Sequence, residues 1–161
     1  MAVVITKLLL FLIVPLGIQM SFCMAQPAQP VKWLFKSGAA EGPEVTLTFT
    51  AAILPGWHLY SQLIEEGGPF PTRFSFEPNR AYEHIGKVTE SGKPFKFFDN
   101  NFMIDIIWYS DSVTFSQRIR LNQGFTTVRG KVEFMVCNSH MCLPADEMEF
   151  SIEVTPWKKS P

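Results

Sequence analysis

The feature of this sequence that most constrains its fold is a two-residue alternation of apolar and polar side chains. In residues 45–50, Val45, Leu47 and Phe49 alternate with threonines, and the same period recurs in residues 73–77, 112–121, 131–136 and 147–154. Successive side chains of a β-strand point to opposite faces, so each segment is expected to be a strand with one buried face. No window of a dozen residues shows a convincing helical stripe. The sequence therefore predicts an all-β protein.

Turn-forming residues separate the alternating segments and indicate how the strands are connected. They lie at Gly42-Pro43, Pro55-Gly56, Gly67-Gly68-Pro69, Pro78-Asn79, Ser91-Gly92, Asp111-Ser112, Asn122 to Gly124 and Leu143-Pro144. Short strands that are each apolar on one face pack as two antiparallel sheets. We therefore predict a single-domain, immunoglobulin-like antiparallel β-sandwich over residues 31–155. Residues 26–30 form a short lead-in, and residues 156–161 form a C-terminal tail.

The first 25 residues have the composition of a signal peptide. One positive charge precedes an eleven-residue apolar run, residues 8–18, and no charge follows as far as Ala25. That run is shorter than the roughly 20 residues of a membrane span and fits a signal-peptide core. Cys23 and Ala25 place small residues at a cleavage site, so we expect cleavage after Ala25 and export of the mature chain. Two alternatives remain: an uncleaved anchor, and a lipoprotein acylated at Cys23, which Phe22 disfavours.

The charge balance excludes one class of partner. The chain has 14 basic and 15 acidic residues, for a formal net charge of -1. Binding to nucleic acid gains its free energy largely from basic residues that displace counterions from phosphates. We therefore expect no nucleic-acid partner.

The residues with the most evident chemistry are two cysteines, Cys137 and Cys142, located where one strand ends and the next approaches. In an oxidising compartment such a pair is a disulfide candidate, but closing so small a ring contributes only about 2 kcal/mol. The residues leave three readings open. They are a structural disulfide, a redox pair at an accessible turn, and a copper(I) site that adds Met135, His140 and Met141 as soft ligands. His140, inside the loop, stabilises a thiolate if it is protonated and points at a sulfur.

Four groups of residues occur in an order that is typical of one family. They are LPGWHLYS at 54–61, GPFPT at 68–72, the phenylalanine-rich stretch at 93–101, and FMVC at 134–137 with CLP at 142–144. Together they resemble the N-terminal periplasmic domain of the DsbD thiol:disulfide interchange proteins over roughly residues 31–155. The resemblance implies an immunoglobulin-like fold and a redox-active Cys137/Cys142 pair, with no cofactor and no metal.

The function that this resemblance implies is electron transfer by a thiol:disulfide oxidoreductase module. Electrons would pass from a thioredoxin-like donor to exported thiol proteins such as disulfide isomerases. By the same resemblance, Cys142 forms the bond to the partner and Cys137 resolves it. Two alternatives remain: a binding module whose disulfide is structural, and a copper(I)-handling module.

The resemblance also implies which residues surround the cysteines. The paired tyrosines of the family motif correspond here to His58 and Tyr60, so an imidazole replaces one phenol and can lie beside the sulfurs. Phe95, Phe97 and Phe98 correspond to the family's cap loop, and at least one of their rings is expected to cover the disulfide. The alternative is that these rings fill the core beneath one end of the sandwich.

The chain departs from the family pattern in two respects. Complete DsbD proteins continue into a membrane-embedded hub and a thioredoxin-like domain, whereas this sequence ends at Pro161. We therefore expect a stand-alone exported module whose donor, with any membrane hub, is a separate polypeptide. The cysteine spacing is one residue shorter than in the best-known members, which affects the geometry of the loop.

Overall fold

The computed structural model describes residues 29–40, 42–100, 103–122 and 124–155. The predicted signal peptide with its cleavage site, most of the lead-in and all of the tail lie outside these ranges. Within them the protein is all-β, as predicted. The strands are β1 (Val31–Ser37), β2 (Glu44–Ile53), β3 (Trp57–Tyr60), β4 (Arg73–Phe76), β5 (Tyr82–Asp99), β6 (Ile104–Leu121), β7 (Thr126–Phe134), β8 (Val136–Asn138) and β9 (Asp146–Val154). None of the described residues belongs to a helix long and apolar enough to cross a membrane.

The strands form two antiparallel sheets, which confirms the predicted sandwich. The larger sheet has the order β1-β2-β6-β3-β8. Strand β5 pairs with the other edge of β6, the one that β2 and β3 leave open. The smaller sheet has the order β4-β7-β9. Strand β6 pairs with two strands along one side. Its later part pairs with β2, from Ser112 to Arg120, and its earlier part pairs with β3 at Trp108 and Tyr109.

The inter-sheet core is built from the alternating apolar residues. Val45, Leu47 and Phe49 of β2 are buried, as their period predicts. The ring of Phe49 lies 4.9 Å from the rings of both Phe74 and Phe150, which belong to the smaller sheet. Burial of such large rings provides the main free energy that holds the two sheets together.

Two of the predicted turns are wrong. Ser91-Gly92 lies within β5 and Asp111-Ser112 lies within β6, where the pairing register shifts between Gly92 and Pro94. Asp111 has a φ of 64°, a left-handed conformation that also occurs at irregular positions in strands. The same residue types favour turns and bulges, so the sequence alone did not separate the two.

This difference changes the structure of the phenylalanine-rich segment. Phe95, Phe97 and Phe98 were expected in a loop, but they lie at the end of β5 and pair with the start of β6. We call the two paired strand segments 93–99 and 104–110 the distal hairpin. They extend beyond the bulge and past the end of β2.

Candidate functional site

A second apolar cluster, separate from the inter-sheet core, contains one of the two cysteines. Its buried members and the half-buried side chains packed on them are Tyr60, Ile64, Ile106, Cys137, Phe97, Ile104, Trp108 and Met135. The neighbours Leu59 and Tyr109 belong to the inter-sheet core. Because successive residues of a strand face opposite sides, Tyr60 and Trp108 face away from that core. The cluster therefore lies on the outer face of the larger sheet, and we call it the outer cluster.

The two cysteines form a disulfide, but their environments differ. Cys137 lies in β8 and is 2% exposed, whereas Cys142 follows the loop and is exposed. Cys137 packs in the outer cluster and Cys142 faces solvent. An incoming thiol can therefore approach the sulfur of Cys142 more readily than that of Cys137.

The loop between the cysteines is held by its first residue. The side-chain oxygen of Asn138 accepts hydrogen bonds from the backbone N–H groups of His140 and Met141, at 2.8 and 2.9 Å. The Asn138 N–H donates to the carbonyl of Met141 at 2.9 Å. Asparagine commonly closes such turns because its side chain mimics a backbone acceptor. The loop thereby holds Cys142 at the surface beside Met141, which is 53% exposed.

His58 lies directly across the strand pair from Cys137. Its imidazole stacks on the indole of Trp108, with centroids 4.4 Å apart and planes 28° apart. Its Nε2 lies 3.5 Å from the Tyr60 hydroxyl. Burial lowers the pKa of His58, so the ring is neutral at pH 7. Burial also raises the pKa of Tyr60, and the negative charge of Asp99 adds to that effect.

The three phenylalanines of the distal hairpin have different surroundings. Phe97 is half-buried and packs on the outer cluster. Phe95 stacks on Trp108, with centroids 4.9 Å apart and planes 14° apart, yet it is 56% exposed. Phe98 pairs with Asp105 on the opposite face of the hairpin and is 51% exposed. Phe97 is therefore the ring of the three that packs with the cysteine-containing cluster.

His140, the other histidine near the sulfurs, has a different setting. It is exposed, and its Nδ1 lies 2.9 Å from the hydroxyl of Ser139, the preceding residue. No cluster of three or more His, Cys, Asp or Glu side chains suited to holding a metal ion occurs among the described residues.

Sequence reasoning missed Trp108, which contacts both His58 and Phe95. The available signal was the uninterrupted apolar run from Ile106 to Tyr109. A strand that is apolar at every position is buried on both faces. That pattern indicates a second packed surface, although it does not reveal which residues cover it.

A half-buried carboxylate fixes the base of the distal hairpin. Glu90 of β5 accepts hydrogen bonds from the hydroxyls of Ser61 and Tyr109, at 2.5 and 2.9 Å, and from the Gln62 N–H at 3.1 Å. Burial raises the pKa of Tyr109 far above its ordinary value, and the bond to Glu90 adds to the rise. This network joins β5, β6 and the end of β3 at the point where the hairpin begins.

Comparison with known proteins gives one family match and two similar solved structures. Residues 25–153 match the family described as thiol:disulfide interchange protein DsbD, N-terminal. The N-terminal periplasmic domain of ScsB from Proteus mirabilis aligns with a TM-score of 0.54 and 15% identity, covering 83% of this chain and 51% of that chain. The N-terminal domain of Neisseria meningitidis DsbD, in its reduced form, aligns with a TM-score of 0.50 and 16% identity, covering 83% and 96%.

The two solved structures bear on the fold of this chain. The chain spans about half of the ScsB domain structure. At such low identity the two structures establish the fold, and they confirm the immunoglobulin-like class. A search of the curated proteins found no match.

Proposed function

The chain belongs to the DsbD N-terminal domain family, and from that premise we propose that its Cys137–Cys142 disulfide is a redox centre that exchanges electrons with a thioredoxin-like protein. The observation that carries this proposal is the difference in exposure between the two sulfurs, with Cys137 at 2% and Cys142 at the surface. Thiol–disulfide exchange requires one sulfur that a partner can attack and a second that waits nearby.

The proposed reaction begins when the donor's thiolate attacks the sulfur of Cys142. A bond forms between that sulfur and the donor, the intramolecular disulfide breaks, and Cys137 leaves as a thiolate. The donor's second thiol then attacks the donor sulfur of the mixed disulfide, which releases Cys142 and oxidises the donor. Two electrons have moved to this chain, and each departing thiolate takes up one proton.

The reduced chain passes the same two electrons onward. The Cys142 thiolate attacks an exported protein's disulfide and forms a second mixed disulfide. Cys137 then attacks Cys142, which restores the intramolecular disulfide and releases the reduced acceptor. We propose that the acceptors are exported thiol proteins such as disulfide isomerases, and that the chain acts in the periplasm after cleavage following Ala25.

The distal hairpin supports the same proposal. Phe97 packs on the cluster that contains Cys137, so its ring can shield the buried sulfur from small thiols. A partner would then reach the sulfur of Cys142 at the surface, while that of Cys137 stays covered. His58 and Tyr60 complete the proposed surround of the disulfide.

Single-cysteine variants test this assignment. Cys137→Ser leaves Cys142 free to displace thionitrobenzoate from a thioredoxin that keeps one active-site cysteine, and we expect a stable mixed disulfide on a non-reducing gel. Cys142→Ser should form little of this complex because Cys137 is buried, and the double variant is the control. Equal trapping by both single variants would refute the assignment of roles. A native disulfide inert to reduced thioredoxin, with no trapping, would show a structural bond.

A further inference from the structure

The proposed function creates a chemical requirement at Cys137. The nucleophile in disulfide exchange is the thiolate, so the thiol of Cys137 must lose its proton before it attacks Cys142. Burial disfavours the charged thiolate, and Cys137 is 2% exposed among apolar side chains. Water is poorly placed to take this proton, so a neighbouring base is needed.

The position of His58 meets this requirement. Residues directly opposite in an antiparallel pair have Cβ atoms about 4.5–5.5 Å apart and share one face of the sheet. His58 and Cys137 are such a pair. Stacking on Trp108 fixes the plane of the imidazole, and Nε2 lies 3.5 Å from the Tyr60 hydroxyl. His58 therefore lies on the same face of the sheet as the buried cysteine, paired with it across the strands, with its ring oriented by Trp108.

Among the titratable groups near Cys137, His58 is the base suited to accept the proton of its thiol. On its own strand, the pKa of the Tyr60 phenol is raised, so this group stays protonated at neutral pH. On β6 the neighbour is the indole of Trp108, which does not titrate in this range. The distal hairpin contributes the carboxylate of Asp99, whose charge acts on Tyr60. Across the strand pair the titrating group is Cys137 itself.

We propose that His58 is the general base for Cys137 in the resolving step, an inference that rests on the redox function proposed above. The imidazole accepts the thiol proton as the Cys137 sulfur attacks the Cys142 sulfur. The bond between Cys142 and the partner breaks, the Cys137–Cys142 bond forms, and the partner leaves as a thiolate. The imidazolium then returns its proton to the leaving thiolate or to solvent.

A small aromatic disulfide, dithionitrobenzoate, tests the proposal without a protein partner. The reduced chain should release thionitrobenzoate in two phases. Attack by Cys142 gives the first phase, and resolution of the adduct by Cys137 gives the second. The tested variant is His58→Tyr, which keeps a ring against Trp108 but offers no base at neutral pH. His84→Gln is the matched control, since it removes an exposed histidine of β5 that lies outside this site.

We expect His58→Tyr to slow the second phase on the order of 100-fold at pH 7 and to leave the first phase unchanged. In the variant, the second-phase rate should rise about tenfold per pH unit as the thiol ionises. In the native chain it should be level above the pKa of the imidazole and fall below it, since only neutral imidazole accepts a proton. His84→Gln should match the native chain in both phases.

Three results would overturn the proposal. They are a second phase that His58→Tyr leaves unchanged, a slowing that is the same at every pH, and equal slowing by His84→Gln. His58→Gln provides a second, smaller replacement, and a normal first phase in either variant shows that the fold is intact. Inertness toward thioredoxin with a His58-dependent second phase would remove the proposed partner while leaving the base in place.

Discussion

Replacing Phe97 by alanine separates a shielding role of the distal hairpin from a purely structural one. Truncation of a fully buried phenylalanine typically costs 3–5 kcal/mol, so the half-buried ring of Phe97 should contribute about 2 kcal/mol. If the hairpin end opens as its own cooperative unit, this free energy is lost from the local closed state. The closed state is then destabilised by about 2 kcal/mol relative to both the open state and the unfolded chain.

The free energy lost from the closed state determines how much faster the covered sulfur reacts. Each 1.4 kcal/mol is a factor of about ten in an equilibrium constant, so about 2 kcal/mol raises the open population roughly 30-fold. In a Cys142→Ser background, we expect a small alkylating reagent to modify the buried Cys137 thiol of Phe97→Ala about 30-fold faster than that of the parent chain. The assay follows the alkylation under conditions where the fold is intact, and thermal unfolding is recorded for the same samples.

Phe98→Ala is the matched control, because Phe98 lies in the same strand on the opposite face and is 51% exposed. We expect Cys137 of Phe98→Ala to be alkylated at the parent rate and this variant to melt within about 2 °C of the parent chain, whereas Phe97→Ala should melt about 8 °C lower. Equal acceleration by the two variants would refute the shield. The same fall in the melting temperature of Phe97→Ala at an unchanged alkylation rate would show a structural ring instead.

Three further predictions concern stability and processing. Glu90→Ala should lower the free energy of unfolding by about 1–3 kcal/mol, because the fully buried hydroxyl of Ser61 loses its acceptor. A urea titration measures this loss, and an unchanged midpoint and slope would contradict the prediction. Hydrogen bonds from Arg120, then Arg118, lower the pKa of Glu44 below 4.5. The stability they add is therefore present above pH 4.5 and is lost as pH falls through the lower folded value, so Glu44→Gln should flatten the acid side of a stability-versus-pH profile. The exported protein should have the intact mass of a chain cleaved after Ala25; retention of residues 1–25, or lipid on Cys23, would contradict it.

The alternation of side chains was sufficient to predict the sandwich because burial of one face dictates the period. Val45, Leu47 and Phe49 are buried in the order that the sequence indicates. The prediction failed at Phe95 to Phe98, where Pro94 and nearby polar residues indicated a loop. The strand exists there because it pairs with the apolar start of β6, a partner that local sequence does not reveal.

The candidate site was only partly predictable for a related reason. The sequence indicated Cys137, Cys142 and a ring from the distal hairpin, but the outer cluster requires four separate strands and the loop that carries Ile64 to meet. His58 faces Cys137 only because β3 lies between β6 and β8. Such long-range strand order depends on the whole topology, and a two-residue period carries no information about it.

The location of the disulfide has a consequence for repeated turnover. Both cysteines lie at one edge of the larger sheet, so the bond does not tie the two sheets together. Opening it removes no contact between Phe49 and the rings of the smaller sheet, which continue to hold the sandwich closed. The oxidised and reduced forms therefore share one scaffold, and the proposed redox cycle does not require the domain to refold at each turnover.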